Sequence, residues 1–166
     1  MSMLSNLDLI RRVPLFALVT PAQAEVLSTS VSKQRFKRGE AIVAQGETSN
    51  ALYIILAGRT RVVMTDKKGR EVILATLQVG DYIGEMSLID NEAHSASVTA
   101  EMQTDVLVLG REPFLRCLSE NTAMSNAVMR GLVKRLRNAD QKIGSLALTG
   151  VYERVATALI DATVLG

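Results

Sequence analysis

Cysteine and histidine are nearly missing from this sequence, with one of each in 166 residues. Cys117 has no second cysteine to pair with, which fits a reducing compartment. An iron–sulfur cluster needs several thiolates and is excluded with it. His94 alone cannot surround a metal with imidazoles. Neither a GxSxG elbow nor a GxxxxGK[S/T] loop occurs. The acid pair Asp90 and Glu92 lies in a polar stretch and reads as solvated. The sequence therefore predicts no metal, no cofactor and no enzyme. No apolar run approaches the roughly 18 residues of a membrane span. The N-terminus lacks a charged start followed by an apolar block, so no signal peptide is expected and a soluble cytoplasmic protein is. Aromatics are scarce at 4%, and a net charge of +2 argues neither for nor against nucleic acid.

What is present is a hydrophobic share of 48%, enough for a sizeable core in one domain plus an appendage. Leu4, Leu7, Ile10 and Arg11 form a helical stripe that Pro14 breaks. Thr20 reads as an N-cap, with Pro21 at the first helical position and Gln23 closing a capping box. Ala24, Val26, Leu27 and Val31 supply that helix's apolar face. From Gln34 to Gly110 the period changes. Short runs rich in Val, Ile, Thr and Leu are punctuated by Gly39, Gly46, Gly58, Gly69 and Gly80. Strands are expected at Ala41–Ala44, Ala51–Leu56, Thr60–Met64, Glu71–Ala75 and Asp105–Leu109, with a hairpin loop over Lys67–Arg70. About eight short strands at this spacing suggest a barrel or sandwich. A helix starts near Arg111, with Phe114, Leu115 and Leu118 facing inward and Cys117 beside them, partly buried.

Asn121-Thr122 then caps a long helix reaching about Leu148. Met129, Leu132, Leu136, Ala139, Ile143 and Leu146 recur at spacings of three and four, a heptad seam flanked by charged residues. The seam is short for a coiled coil, and an amphipathic helix packed on its own domain is the alternative. Gly150 to Ile160 reads as the start of a further helix.

One stretch, Gly80 to Val98, stands apart. Gly80-Asp81 is turn chemistry. Gly84 lets the backbone approach a ligand. Glu85-Met86-Ser87-Leu88 makes one helical turn whose first N–H groups favour an anion. Glu85 offers a carboxylate to sugar hydroxyls. His94-Ser95-Ala96-Ser97-Val98 returns as a strand bearing donors. This order, Gly84-Glu85-Met86-Ser87-Leu88 and then His94-Ser95-Ala96, resembles the phosphate-binding cassette of cyclic-nucleotide-binding domains in the Crp/Fnr superfamily. There the second motif begins with arginine; His94 stands in its place.

The resemblance implies an α+β fold: a cyclic-nucleotide-binding β-roll, jelly-roll-like, with short N-terminal helices and a long dimerisation helix. It implies a sensor domain over residues 1–120, the helix over 121–149, and from 150 to 166 a hinge toward a DNA-binding domain. The chain is then expected to be the sensor and dimerisation part of a longer bacterial transcription regulator that reaches DNA only through that further domain. The ligand would meet Gly84, Glu85, Met86, Ser87, His94 and Ser95, joined by Arg135 and Asp140 from the long helix. Two-fold pairing through Met129, Leu132, Leu136, Ala139, Ile143 and Leu146 would give a homodimer. In the family a Thr-Ser pair on this helix reads adenine; Ala139 and Asp140 occupy those positions. Asp140 only accepts, which suits guanine's donors better than adenine's mixed edge. Some relatives with altered cassettes respond to cyclic di-GMP. A non-standard nucleotide or a weakened site is therefore favoured over ordinary cyclic AMP. Two other readings stand beside it: the same fold binding another ligand or none, and a protein–protein regulatory or anchoring module.

Overall fold

Hydroxyl caps set the start of the chain. In the computed structural model, which describes residues 4–165 but not the side chains of 145–149, 151–152, 161 and 163–165, Ser5 opens helix α1 (Asn6–Arg12) through a capping box with Asp8. Pro14 stops it and begins a short 3₁₀ turn, Pro14–Phe16. Thr20 opens α2 (Pro21–Ser30) by the expected capping box with Gln23. Ala24 and Leu27 are buried on α2, whereas Val26 is exposed. Val31 belongs to the next strand, not to this helix.

Eight strands follow among the described residues: β1 (Val31–Phe36), β2 (Ala41–Val43), β3 (Ala51–Ala57), β4 (Thr60–Thr65), β5 (Glu71–Leu77), β6 (Tyr82–Ile83), β7 (Ser97–Ala100) and β8 (Thr104–Gly110). They form two four-stranded antiparallel sheets, ordered β1-β8-β3-β6 and β2-β7-β4-β5. Phe36, Ile42, Val43, Ile55, Ile83, Val98, Ala100 and Val106 fill the core, drawn from both sheets. The mixed helix-and-antiparallel-strand architecture expected from the sequence is the one observed. Gly58 turns β3 into β4 at φ +100°, and a Cβ there would lie 2.6 Å from the Gln103 carbonyl oxygen. No other residue type fits both that dihedral and that approach.

Helix α3 (Glu85–Asp90) stands between β6 and β7, and α4 (Arg111–Glu120) follows β8 directly. On α4, Phe114 and Cys117 are buried and Leu115 is exposed. The expected inward face is thus rotated: Cys117, one turn after Phe114, takes the place assigned to Leu115.

The last helix, α5, runs unbroken from Thr122 to Leu165. The break expected after Leu148 is absent. Gly150 costs a helix about 1 kcal/mol relative to alanine, which weakens it without stopping it, and no proline follows to enforce a turn. The chain divides into two compact units, Met1–Ser125 and Asn126–Gly166. The first closes on Asn121, whose side chain accepts from the Met124 N–H and donates to Leu18 O and Gln23 Oε1. The second is helical, and its expected seam faces outward: Met129, Leu136 and Ile143 are 55%, 63% and 65% exposed. Ala139 is exposed and Leu132 half-buried, and Leu146 lies outside the described side chains. No helix of the described residues is long and apolar enough to cross a membrane.

Candidate functional site

The cassette is built where β6 ends. Gly84 takes φ +98° and caps α3 from the left-handed region. A Cβ at Gly84 would lie 3.0 Å from Ala51 O and 3.9 Å from His94 Cε1, so the glycine lets α3 begin against β3 and the imidazole. Glu85 follows in the first turn and is 1% exposed. Burial of a carboxylate costs several kcal/mol unless donors meet it, so Glu85 is a held group and not a solvated one. Ser87 and Leu88 point inward on the same helix, while Met86 and Ile89 are about half exposed.

His94 is 9% exposed. Its Nε2 lies 2.8 Å from Ser49 Oγ and its Nδ1 3.1 Å from Ser87 Oγ. Its backbone is tied to the same neighbourhood, with its N–H donating to Glu47 O and its carbonyl accepting from Gly46 N. The imidazole therefore staples α3 to the β2–β3 loop. Burial pushes its pKa down, with the Glu47 carboxylate opposing that shift. Ser95 is exposed in a bend, and the strand expected from His94 begins at Ser97 instead. The two backbone bonds of residue 94 to the β2–β3 loop replace the sheet ladder there.

The opposite end of α3 is held by a residue the sequence did not single out. Arg111 donates from Nη1 to Leu88 O at 3.0 Å and to Asn91 Oδ1, from Nη2 to Ser87 O, and from Nε to Asn50 Oδ1. Its backbone N–H donates to Asn50 O at 2.8 Å. Asn91 ends α3 at φ 62°, the one positive φ outside glycine among the described residues. A signal existed: a cation at the first position of a helix opposes the helix dipole. Arg111 is placed there for the carboxyl end of α3, where a cation is favoured.

The structure thus brings Gly84, Glu85, Ser87 and His94 together and adds Ser49, Asn50, Asn91 and Arg111. Met86 and Ser95 flank them from exposed positions. Arg135 and Asp140 belong to the second unit, where both are exposed on α5.

Residues 33–121 match the model of the cyclic nucleotide-binding domain. The cyclic AMP receptor protein of Thermus thermophilus is 33% identical over 147 residues, 89% of this chain and 68% of its own length. The solved catabolite activator protein of that organism is 32% identical with a TM-score of 0.71, covering 81% of this chain and 63% of the other. Two solved kinase regulatory subunits are each 27% identical. One is the regulatory subunit of a cyclic AMP-independent protein kinase A from Trypanosoma brucei, a three-substitution mutant with one change from threonine to arginine, bound to cyclic AMP; its TM-score is 0.69, covering 76% of this chain and 46% of that one. The other, from Trypanosoma cruzi, is bound to guanosine, with a TM-score of 0.67 over 75% of this chain and 43% of that one.

Proposed function

Because the chain belongs to the cyclic nucleotide-binding domain family and to its Crp/Fnr superfamily, we propose that it is the effector-sensing and dimerising part of a transcription regulator, with the ligand seated at α3. The observation that carries the reading is Glu85: a carboxylate 1% exposed, directly after the left-handed Gly84, inside the matched segment. Glu85 takes ligand sugar hydroxyls, the Gly84 backbone admits the ligand closely, and Ser87 and His94 line the same turn. Arg135 and Asp140, on α5, are proposed ligand contacts by the resemblance alone. The chain spans about two thirds of its curated relatives and under half of the kinase subunits. Recognition of DNA is therefore proposed for the longer protein, as a two-fold dimer on a two-fold operator. The exposed row of Met129, Leu136 and Ile143 supports pairing of two copies through α5.

The effector is proposed to be of nucleotide or nucleoside type. His94 stands where the resemblance expects arginine. One solved neighbour is occupied by guanosine, and another holds cyclic AMP in a mutant carrying a new arginine. Guanosine and cyclic AMP are therefore candidates to test, together with cyclic GMP and cyclic di-GMP, which Asp140 suggests. Calorimetric titration of wild type and Glu85→Ala with cyclic AMP, cyclic GMP, cyclic di-GMP and guanosine tests the reading. Binding by wild type that is lost in a folded Glu85→Ala is expected; equal affinity in both contradicts it.

A further inference from the structure

We propose that the cassette selects an uncharged ribonucleoside over the corresponding cyclic nucleotide, with Glu85 on the ribose and the Ser49–His94–Ser87 chain at the position where a phosphate would need a cation. This rests on α3 being the ligand site.

The charges of the segment argue first. Residues 80–100 contain Asp81, Glu85, Asp90 and Glu92 and no lysine or arginine. Asp81 and Asp90 cap local turns through the backbone N–H groups of Gln78 and Glu92. Glu85 is the buried one. An anionic phosphate placed beside it meets like charge in a poorly solvated position, where repulsion is strong.

Two arginines, Arg111 and Arg59, are committed elsewhere. The guanidinium of Arg111 lies against the carboxyl end of α3, on Leu88 O, Ser87 O and Asn91 Oδ1. Arg59 is paired with Glu101. Arg61 lies on β4 between Thr60, which is fully buried, and Val62, which packs on the core, so alternation turns it to the other side of the strand, where its Nε is buried without a hydrogen-bond partner. His94 remains, and both of its ring nitrogens already meet hydroxyls. Burial favours its neutral form.

The hydroxyls then decide what fits. A neutral imidazole has one donor and one acceptor nitrogen. In either tautomer, one of Ser49 and Ser87 gives its proton to the ring, and the other accepts from the ring and keeps its proton for a further acceptor. A ligand hydroxyl, both donor and acceptor, matches such a chain. A phosphate oxygen gains one neutral hydrogen bond there in place of the bidentate, charge-assisted pair an arginine makes.

The test is calorimetry on the whole chain at pH 7.5 with guanosine, adenosine and inosine, each against its 3′,5′-cyclic monophosphate. At least one nucleoside should bind ten-fold or more tightly than its cyclic monophosphate. His94→Arg, accepted only if its thermal melt is cooperative, should tighten the cyclic monophosphate ten-fold or more. A wild-type chain that binds a cyclic monophosphate more tightly than its nucleoside overturns this inference and leaves α3 as a ligand site. A chain that binds neither class overturns the site reading along with it.

Discussion

The cassette and helix α5 pose opposite physical problems. Around α3 the groups at risk are polar and buried, and the chain supplies their partners: Ser49 and Ser87 for His94, carbonyls and asparagines for Arg111. Along α5 the groups at risk are apolar and exposed, and the second unit covers few of them. The first region is completed internally, and the proposal seats a small ligand against its remaining donors and acceptors. The second leaves Leu136 and Ile143 in water, which a second copy of the same helix would relieve. The proposed regulator would use both: a site that discriminates and a seam that joins.

The sharpest way to break this comparison is Leu136→Asp. Each buried seam leucine contributes roughly 1.5–3 kcal/mol, and a two-fold seam loses two of them and gains two like charges. Self-association should weaken on the order of a hundred-fold or more. Sedimentation equilibrium is expected to give a wild-type dimer at tens of micromolar and a monomeric variant. A wild-type monomer there would mean that the apolar row has another role.

Arg111→Met tests the internal completion of the cassette. The Leu88 carbonyl and the Asn91 amide lose their charged donor while the side-chain length is kept. Unfolding in urea should show a loss of about 1–3 kcal/mol. On the proposed site, ligand affinity should fall several-fold as α3 loosens. Unchanged stability would show that Arg111 is a surface residue with replaceable contacts.

The pH dependence of His94 is smaller. Its folded pKa lies below the ordinary histidine value because of burial. Between that lowered value and about 6.5 the unfolded chain binds more protons than the folded one, so stability rises with pH through this window. His94 therefore contributes fully above about pH 6.5, and the contribution is lost as pH falls through the folded value. The slope cannot exceed about 1.4 kcal/mol per pH unit. Denaturant melts from pH 7.5 to 5 should show that slope in wild type and lose it in His94→Asn. Parallel curves for the two proteins would place the ring in water.

Gly150→Ala has the smallest expected effect and sharpens the account of α5. A Cβ at Gly150 meets nothing within 4 Å, and its φ is helical. If α5 is continuous, alanine should raise helicity and add about 0.5–1 kcal/mol. A loss of stability would restore the break that the sequence suggested there.

Much of this is legible in the sequence. The Thr20–Gln23 capping box, the glycine-punctuated strands and the Gly84-Glu85 turn are local features, and local features can be read locally. β1 was missed because four of its six residues face water, so it shows no apolar run. β6 was missed because it has two residues. The partners of His94 and Arg111 were hidden for a different reason. Ser49 is 45 residues from His94, and Asn50 is 61 from Arg111. No periodicity joins residues that only the closing of two sheets brings together. The cassette's backbone was therefore visible in the sequence, and the partners that hold it in place were not.

The central claim is that a ligand engages the first turn of α3. Hydrogen exchange on the amides of Glu85 to Leu88, with and without the ligand that binds most tightly by calorimetry, tests it most directly. The account predicts slower exchange at these amides in the bound state. Saturating ligand with unchanged exchange from Glu85 to Leu88 would place the binding site elsewhere and contradict it.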